Sequence, residues 1–200
     1  MQQDAISRRT MDLVKSVREI FEGEATRDPA KAPQLNRALA LMLELRPNPE
    51  RTEPRRVPGC RHLDRALELG EAGPAAAVAT AIRDIESTLA WRQNPRYNVD
   101  NKGADFMDNY GWSDLGLTGS SAMSFGALLL GPGITYPLTR YESEGVFVVV
   151  GGSPEWKCED APWKRVQAGD VICRPYNGAE GKRPGQEPML ALYAWMYRQS

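Results

Sequence analysis

A single histidine, His62, serves a chain of 200 residues, and the three cysteines, Cys60, Cys158 and Cys173, are an odd set without CxxC spacing. That shortage argues against both a zinc cluster and a disulfide framework, so the thiols are expected to stay reduced. Long apolar runs are missing too. No stretch nears the roughly 20 apolar residues that span a bilayer, and Met1 to Arg9 lacks the apolar core of a signal peptide. Neither sign of charge is in excess: 25 basic and 26 acidic side chains leave a formal charge of -1, too little to draw nucleic acid or an anionic membrane to the surface. These absences predict a cytoplasmic protein with no nucleic-acid and no membrane partner. There is also no repeat of solenoid period and no low-complexity tract.

What remains is 42% hydrophobic and 26% charged, a soluble globular composition long enough for one sizeable core or for one core with a helical annex. Residues 1–100 read as helices. Val14, Val17 and Phe21 recur at helical spacing, as do Leu35, Leu39, Met42 and Leu45, and again Val78, Ile82, Ile85 and Leu89. Breaks fall at Asp28-Pro29, at Pro47 to Pro58 and at Gly70 to Pro74. The proline-rich stretch and its flank carry Arg51, Arg55, Arg56, Arg61 and Arg65, read first as a solvated surface and second as a seat for an anion or a partner.

From Phe106 the pattern becomes β. Phe125 to Leu130, Val146 to Val150, Val166 to Cys173 and Met189 to Tyr197 are short apolar runs separated by Gly and Pro. Antiparallel strands closing on themselves would bury both faces and remove exposed edges. The expected fold class is therefore mainly β, with a jelly-roll β-barrel over 101–200 preceded by an α-helical region over 1–100.

Two glycine-anchored frames run through the second half. Gly133 is followed by five residues, then Thr139, Arg140 and Tyr141, three more residues, Gly145, and six further residues to Gly152. The second runs from Gly169 through five residues to Pro175, then Asn177 and, past two residues, Glu180. The spacing resembles the cupin pattern, in which the first frame carries His-x-His and Glu and the second ends on Pro-x-Gly and a final His. Here the frame is kept and those ligands are absent.

Over Leu89 to Arg198 the segments LAWRQNPRY, DNYGWSDL, GALLLGPGITYPLTRYESEGVFVVVGG, AGDVICRP and EPMLALYAWMY resemble one cupin branch, the dimethylsulfoniopropionate (DMSP) lyase family. The resemblance implies a pocket holding a divalent metal such as zinc or iron, and C–S β-elimination of DMSP to dimethyl sulfide and acrylate. The family's ligand positions carry over to Thr139, Tyr141, Gly145, Phe147 and Glu180, and the family's proposed base, a tyrosine, to Phe147. Zinc takes about four N, S or O ligands, and among these positions only Glu180 is a good one. No metal cofactor is therefore expected, and the family mechanism is not inherited unchanged.

The resemblance further implies that Tyr136 and Trp195 line the pocket, with Tyr193 on the same strand face as Trp195. Aromatic faces of this kind attract a sulfonium or quaternary ammonium; equally, the three rings could simply fill the core. A buried Glu180 needs a partner, and Arg174 or Lys182 could supply it, placing positive charge where a metal would stand and offering a carboxylate a seat. Tyr141 and Glu180 are the candidate replacement bases. Asp108, Trp112 and Asp114 read as structural. The expected partner is a small zwitterion or carboxylate, with a homodimer as a further option. The readings in play are a lyase-like cupin impaired or altered in catalysis, and a non-catalytic binding or regulatory subunit that pairs with a relative.

Overall fold

The computed structural model describes residues 2–50 and 52–198, so Arg51 of the arginine-rich stretch lies outside the described residues. Helix α1 (Gln2–Arg27) buries Leu13, Val14, Val17 and Phe21 as one stripe and stops before Asp28, which Pro29 disfavours from helical geometry. Helix α2 (Ala32–Met42) carries Pro33 in its first turn, where a missing N–H leaves no bond unmade. Helices α3 (Leu63–Glu71) and α4 (Ala76–Ile85) follow the proline-rich stretch, and α5 (Val99–Lys102) and α6 (Ala104–Asp108) are single short turns before the first long sheet. Two of the described surface arginines have acidic partners: Arg56 pairs with Glu86 at 3.2 Å and Arg65 with Glu187 at 2.8 Å. No helix among the described residues is long and apolar enough to cross a membrane.

A minor ribbon joins β1 (Arg46–Pro47) to β3 (Leu117–Thr118). The main strands are β2 (Tyr110–Ser113), β4 (Met123–Leu130), β5 (Tyr136–Arg140), β6 (Glu144–Gly151), β7 (Glu155–Cys158), β8 (Lys164–Arg165), β9 (Val171–Arg174), β10 (Ala179–Arg183) and β11 (Met189–Met196). They form a five-stranded sheet in the order β2-β4-β11-β6-β9 and a four-stranded sheet in the order β5-β10-β7-β8. Every pairing within them is antiparallel.

The period of two along a strand sorts the five-stranded sheet's side chains into two layers. On one face Phe125, Leu129, Val146, Val148, Val150, Leu190 and Leu192 share a core with the stripes of α1 to α4. On the other, Leu128, Leu130, Phe147, Val149, Ala191 and Tyr193 meet Tyr136 and Trp156 of the four-stranded sheet. The molecule is thus a stack of helices, long sheet and short sheet, and the helices share their core with the long sheet.

Three expectations change. The strands do not close into one continuous ladder, because β5, β7, β8 and β10 are short and separated by Gly and Pro turns, which leaves two facing sheets. The expected run from Val166 to Cys173 is a strand only over Val171–Arg174, since Gly169 turns the chain at φ +90°. The β pattern begins at Tyr110, past the helical turn that contains Phe106. The frame glycines have a conformational role: Gly133, Gly152 and Gly169 adopt φ of +77°, +86° and +90°, which suit glycine best.

Candidate functional site

Between the two sheets lies a cavity of about 250 Å³. Strand alternation aims Leu128 and Ser124 of β4, Phe147 of β6, and Tyr193 and Trp195 of β11 into it from the long sheet. Tyr136 of β5, Lys182 of β10 and Tyr141 just past β5 enter from the other side. Tyr110 and Trp112 of β2, with Asn94, Pro95 and Tyr97 of the preceding loop, complete the wall. The side chains are mostly aromatic, and among the described residues that line the space Lys182 is the one cation and there is no carboxylate.

The rings form a connected wall. Tyr193 and Trp195 lie 4.9 Å apart between centroids, and Trp195 and Tyr141 5.2 Å apart. Gly126 makes room for this wall, because a Cβ there would meet the Tyr193 hydroxyl at 2.5 Å. Hydroxyls are also linked: Tyr97 and Tyr136 share a hydrogen bond of 2.8 Å, and the Tyr141 hydroxyl donates to that of Tyr136 at 3.2 Å. Burial is the main cause that pushes the Tyr141 phenol up to about 12, and it moves Tyr110, Tyr136 and Tyr193 in the same direction. At neutral pH these groups are hydrogen-bonding phenols, not phenolates.

Beside the cavity sits a buried charge cluster. Arg174, Glu180 and Lys182 are 0%, 0% and 1% exposed. Glu180 Oε1 lies 2.8 Å from Lys182 Nζ and 3.7 Å from Arg174 Nε. The shorter contact is close enough for an ion pair, and Glu180 Oε2 and Arg174 Nε have no hydrogen-bond partner among the described residues. Arg174 is otherwise held by Ser143, donating to its carbonyl and, at 3.1 Å, to its hydroxyl, and its guanidinium lies 5.0 Å from the centre of the Tyr141 ring. Lys182 Nζ is boxed by the rings of Trp156, Phe147 and Tyr136 at 4.7, 4.8 and 5.1 Å. Burial lowers the Lys182 ammonium from the ordinary lysine value, and Glu180 opposes that shift.

Of the residues singled out in the sequence, Tyr136, Tyr141, Tyr193, Trp195 and Lys182 converge on the cavity, whereas Glu180 and Arg174 lie outside its lining. Glu180 is buried against its two cations and is not on a solvent-facing loop. At the other positions carried over from the ligand pattern, the Thr139 hydroxyl donates to the Pro137 carbonyl at 2.9 Å, Phe147 packs under Lys182, and Gly145 leaves its space to Arg174, whose Nη2 stands 3.0 Å from where a Cβ would be. Among the described residues no group of three or more His, Cys, Asp or Glu side chains could hold a metal ion. His62 is far from these residues in role, paired with Asn109 Oδ1 at 2.7 Å.

Sequence reasoning missed Tyr97, Tyr110 and Trp112. Trp112, read as structural, lines the cavity, and Arg92 holds it from the other side, its guanidinium 5.5 Å from the ring and 2.6 Å from Asp114. The signal was available: Tyr97 and Trp112 stand in the segments LAWRQNPRY and DNYGWSDL, but they precede the apolar strand runs and so read as connectors.

Comparison with known proteins gives a consistent set. A family model for dimethylsulfoniopropionate lyase matches residues 31–191. The dimethylsulfoniopropionate lyase DddQ of Ruegeria pomeroyi is 26% identical over 170 residues, 83% of this chain and 82% of that protein. A putative dimethylsulfoniopropionate lyase, DddL of Cereibacter sphaeroides, is 28% identical over 173 residues, 79% of this chain and 67% of its own length. Among solved structures, one from work on the DMSP lyases RdDddP and RnDddQII superposes with a TM-score of 0.75 at 20% identity, covering 96% of this chain and 93% of that one. DddQ of Ruegeria pomeroyi gives 0.65 at 24% identity, covering 95% and 92%. These overlays show that the chain shares the fold of these lyase structures.

Proposed function

This chain belongs to the dimethylsulfoniopropionate lyase family, and we propose that its cavity binds a small β-onium carboxylate of the DMSP type, with the family's metal-dependent elimination impaired. The observation that carries this reading is the composition of the wall: Tyr141, Tyr193 and Trp195 form a continuous aromatic surface, with one cation and no carboxylate among the described residues that line the same space. Ring faces attract an onium group by about 0.5–2 kcal/mol per contact, according to how far it is desolvated. The volume of about 250 Å³ suits a compact ligand.

A divalent metal does not fit these residues. The one carboxylate at the five corresponding positions, Glu180, already faces two cations, and the space at Gly145 is taken by a guanidinium. A metal brought there would meet positive charge where it needs anionic or neutral donors. No reaction step is therefore routed through a metal. The family reaction needs a base for the proton beside the carboxylate while the C–S electron pair leaves with the sulfide. Tyr141, held as a phenol near 12, serves as a hydrogen-bond donor in this reading, and Glu180 stands outside the cavity lining. Slow turnover or none follows.

The test pairs two assays on the wild-type protein. DMSP should raise the melting temperature saturably, and headspace dimethyl sulfide should stay far below that from the Ruegeria pomeroyi DddQ, with no rise on adding zinc or iron. Vigorous gas release would overturn the impairment, and no thermal shift at any DMSP concentration would overturn the ligand class.

A further inference from the structure

We infer that the protein itself supplies the positive charge at the place where the resemblance puts a metal, as the buried Arg174–Glu180–Lys182 cluster, and that its Lys182 ammonium anchors the carboxylate end of the ligand. This rests on the proposed substrate class and adds the group that orients the molecule. Geometry carries it at three points.

First, Arg174 occupies the space beside one of the missing ligands. Gly145 has no side chain, and a Cβ there would stand 3.0 Å from Arg174 Nη2 and 2.8 Å from a Phe147 ring carbon. The guanidinium is fixed in that space by Ser143. Second, two cations share one carboxylate, so with all three ionised the cluster keeps a single net positive charge. Glu180 holds Lys182 and Arg174 together without cancelling them. Third, of the three only Lys182 lines the cavity.

The surroundings of Lys182 favour an incoming anion over a second cation. Its Nζ already fills the box of Trp156, Phe147 and Tyr136, so a ligand onium cannot use those faces. The groups that face the ammonium are Glu180 on its own strand, Tyr136 from β5, Trp156 and Cys158 from β7, Phe147 from β6 and Arg174 from β9. Glu180 is the only anion among them, and it is shared with Arg174. A ligand carboxylate would offset the desolvation that burial imposes on Lys182, while the Tyr136 hydroxyl, which accepts from Tyr141, lies on the same wall. The onium end then points to Tyr193 and Trp195.

Calorimetry with three probes tests this: acrylate, acrylamide as its neutral isostere, and tetramethylammonium. The wild-type protein should bind acrylate about tenfold or more tightly than acrylamide, the strength of one charge-assisted contact. In the Lys182→Met variant, which leaves Glu180 paired with Arg174 and the cluster neutral, that preference should vanish while tetramethylammonium binding is kept. Equal affinity of the wild type for acrylate and acrylamide would overturn the anchor, as would acrylate binding unchanged in the folded variant. If tetramethylammonium binds and acrylate does not, the anchor fails and the aromatic wall stands. If none of the three binds, the substrate class falls with it.

Discussion

Glu180, Arg174 and Lys182 occupy one buried spot but contribute unequally to stability. A buried ion pair gives back in attraction roughly what it loses in hydration, whereas removing one partner leaves a charge with neither water nor a counterion. Glu180→Gln should therefore destabilise the fold by about 3–5 kcal/mol, and adding Lys182→Met should recover a clear part of that loss. Urea unfolding of the single and double variants measures both; a Glu180→Gln protein as stable as the wild type would show that the cluster is open to water. The tyrosines give a second residue-scale prediction. Burial raises the Tyr141 phenol to about 12, so the folded chain keeps a proton that an unfolded tyrosine releases near 10. The stability this confers is complete below about pH 10 and is lost as the pH rises through about 12. Tyr110, Tyr136 and Tyr193 act in the same direction. Tyrosinate absorbance should appear together with unfolding, and Tyr141→Phe should flatten the alkaline loss; early, unfolding-independent ionisation would contradict the burial described.

Among elements, the contact of α3 with β6 is the tightest point. A Cβ on Gly151 would stand 1.9 Å from the Ala66 carbonyl oxygen, so a side chain there must push helix and strand apart. Gly151→Ala should cost about 1–3 kcal/mol, as other overpacked interiors do, read as a lower midpoint in thermal or urea unfolding; an unchanged midpoint would mean that the helical layer yields freely. The same elements show what a sequence discloses. Strands β4, β6 and β11 are buried on both faces, and their continuous apolar runs, Phe125 to Leu130 and Val146 to Val150 among them, announce themselves. Strands β5, β7 and β10 are short, with polar or charged residues such as Lys157, Glu180 and Lys182, so no periodicity marks them. Yet β5 and β10 carry Tyr136 and the charged cluster. The glycine frame located that cluster where hydropathy could not, because turn geometry persists when ligands are replaced. Trp112 and Tyr97 escaped because their burial depends on a loop closing over the long sheet, a tertiary fact.

At the scale of the whole molecule, the long sheet is a middle layer whose two faces are given to different tasks. One is packed with aliphatic side chains against α1 to α4 and supplies stability. The other is aromatic, meets the short sheet and leaves the cavity. If the cationic cluster stands in place of a metal centre, this is visible in the metal content of the purified protein after incubation with excess zinc or iron and removal of the free ion. The account predicts well under one ion per chain and no loss of DMSP binding when a chelator is added. A stoichiometric ion, with DMSP binding that depends on it, would contradict the account.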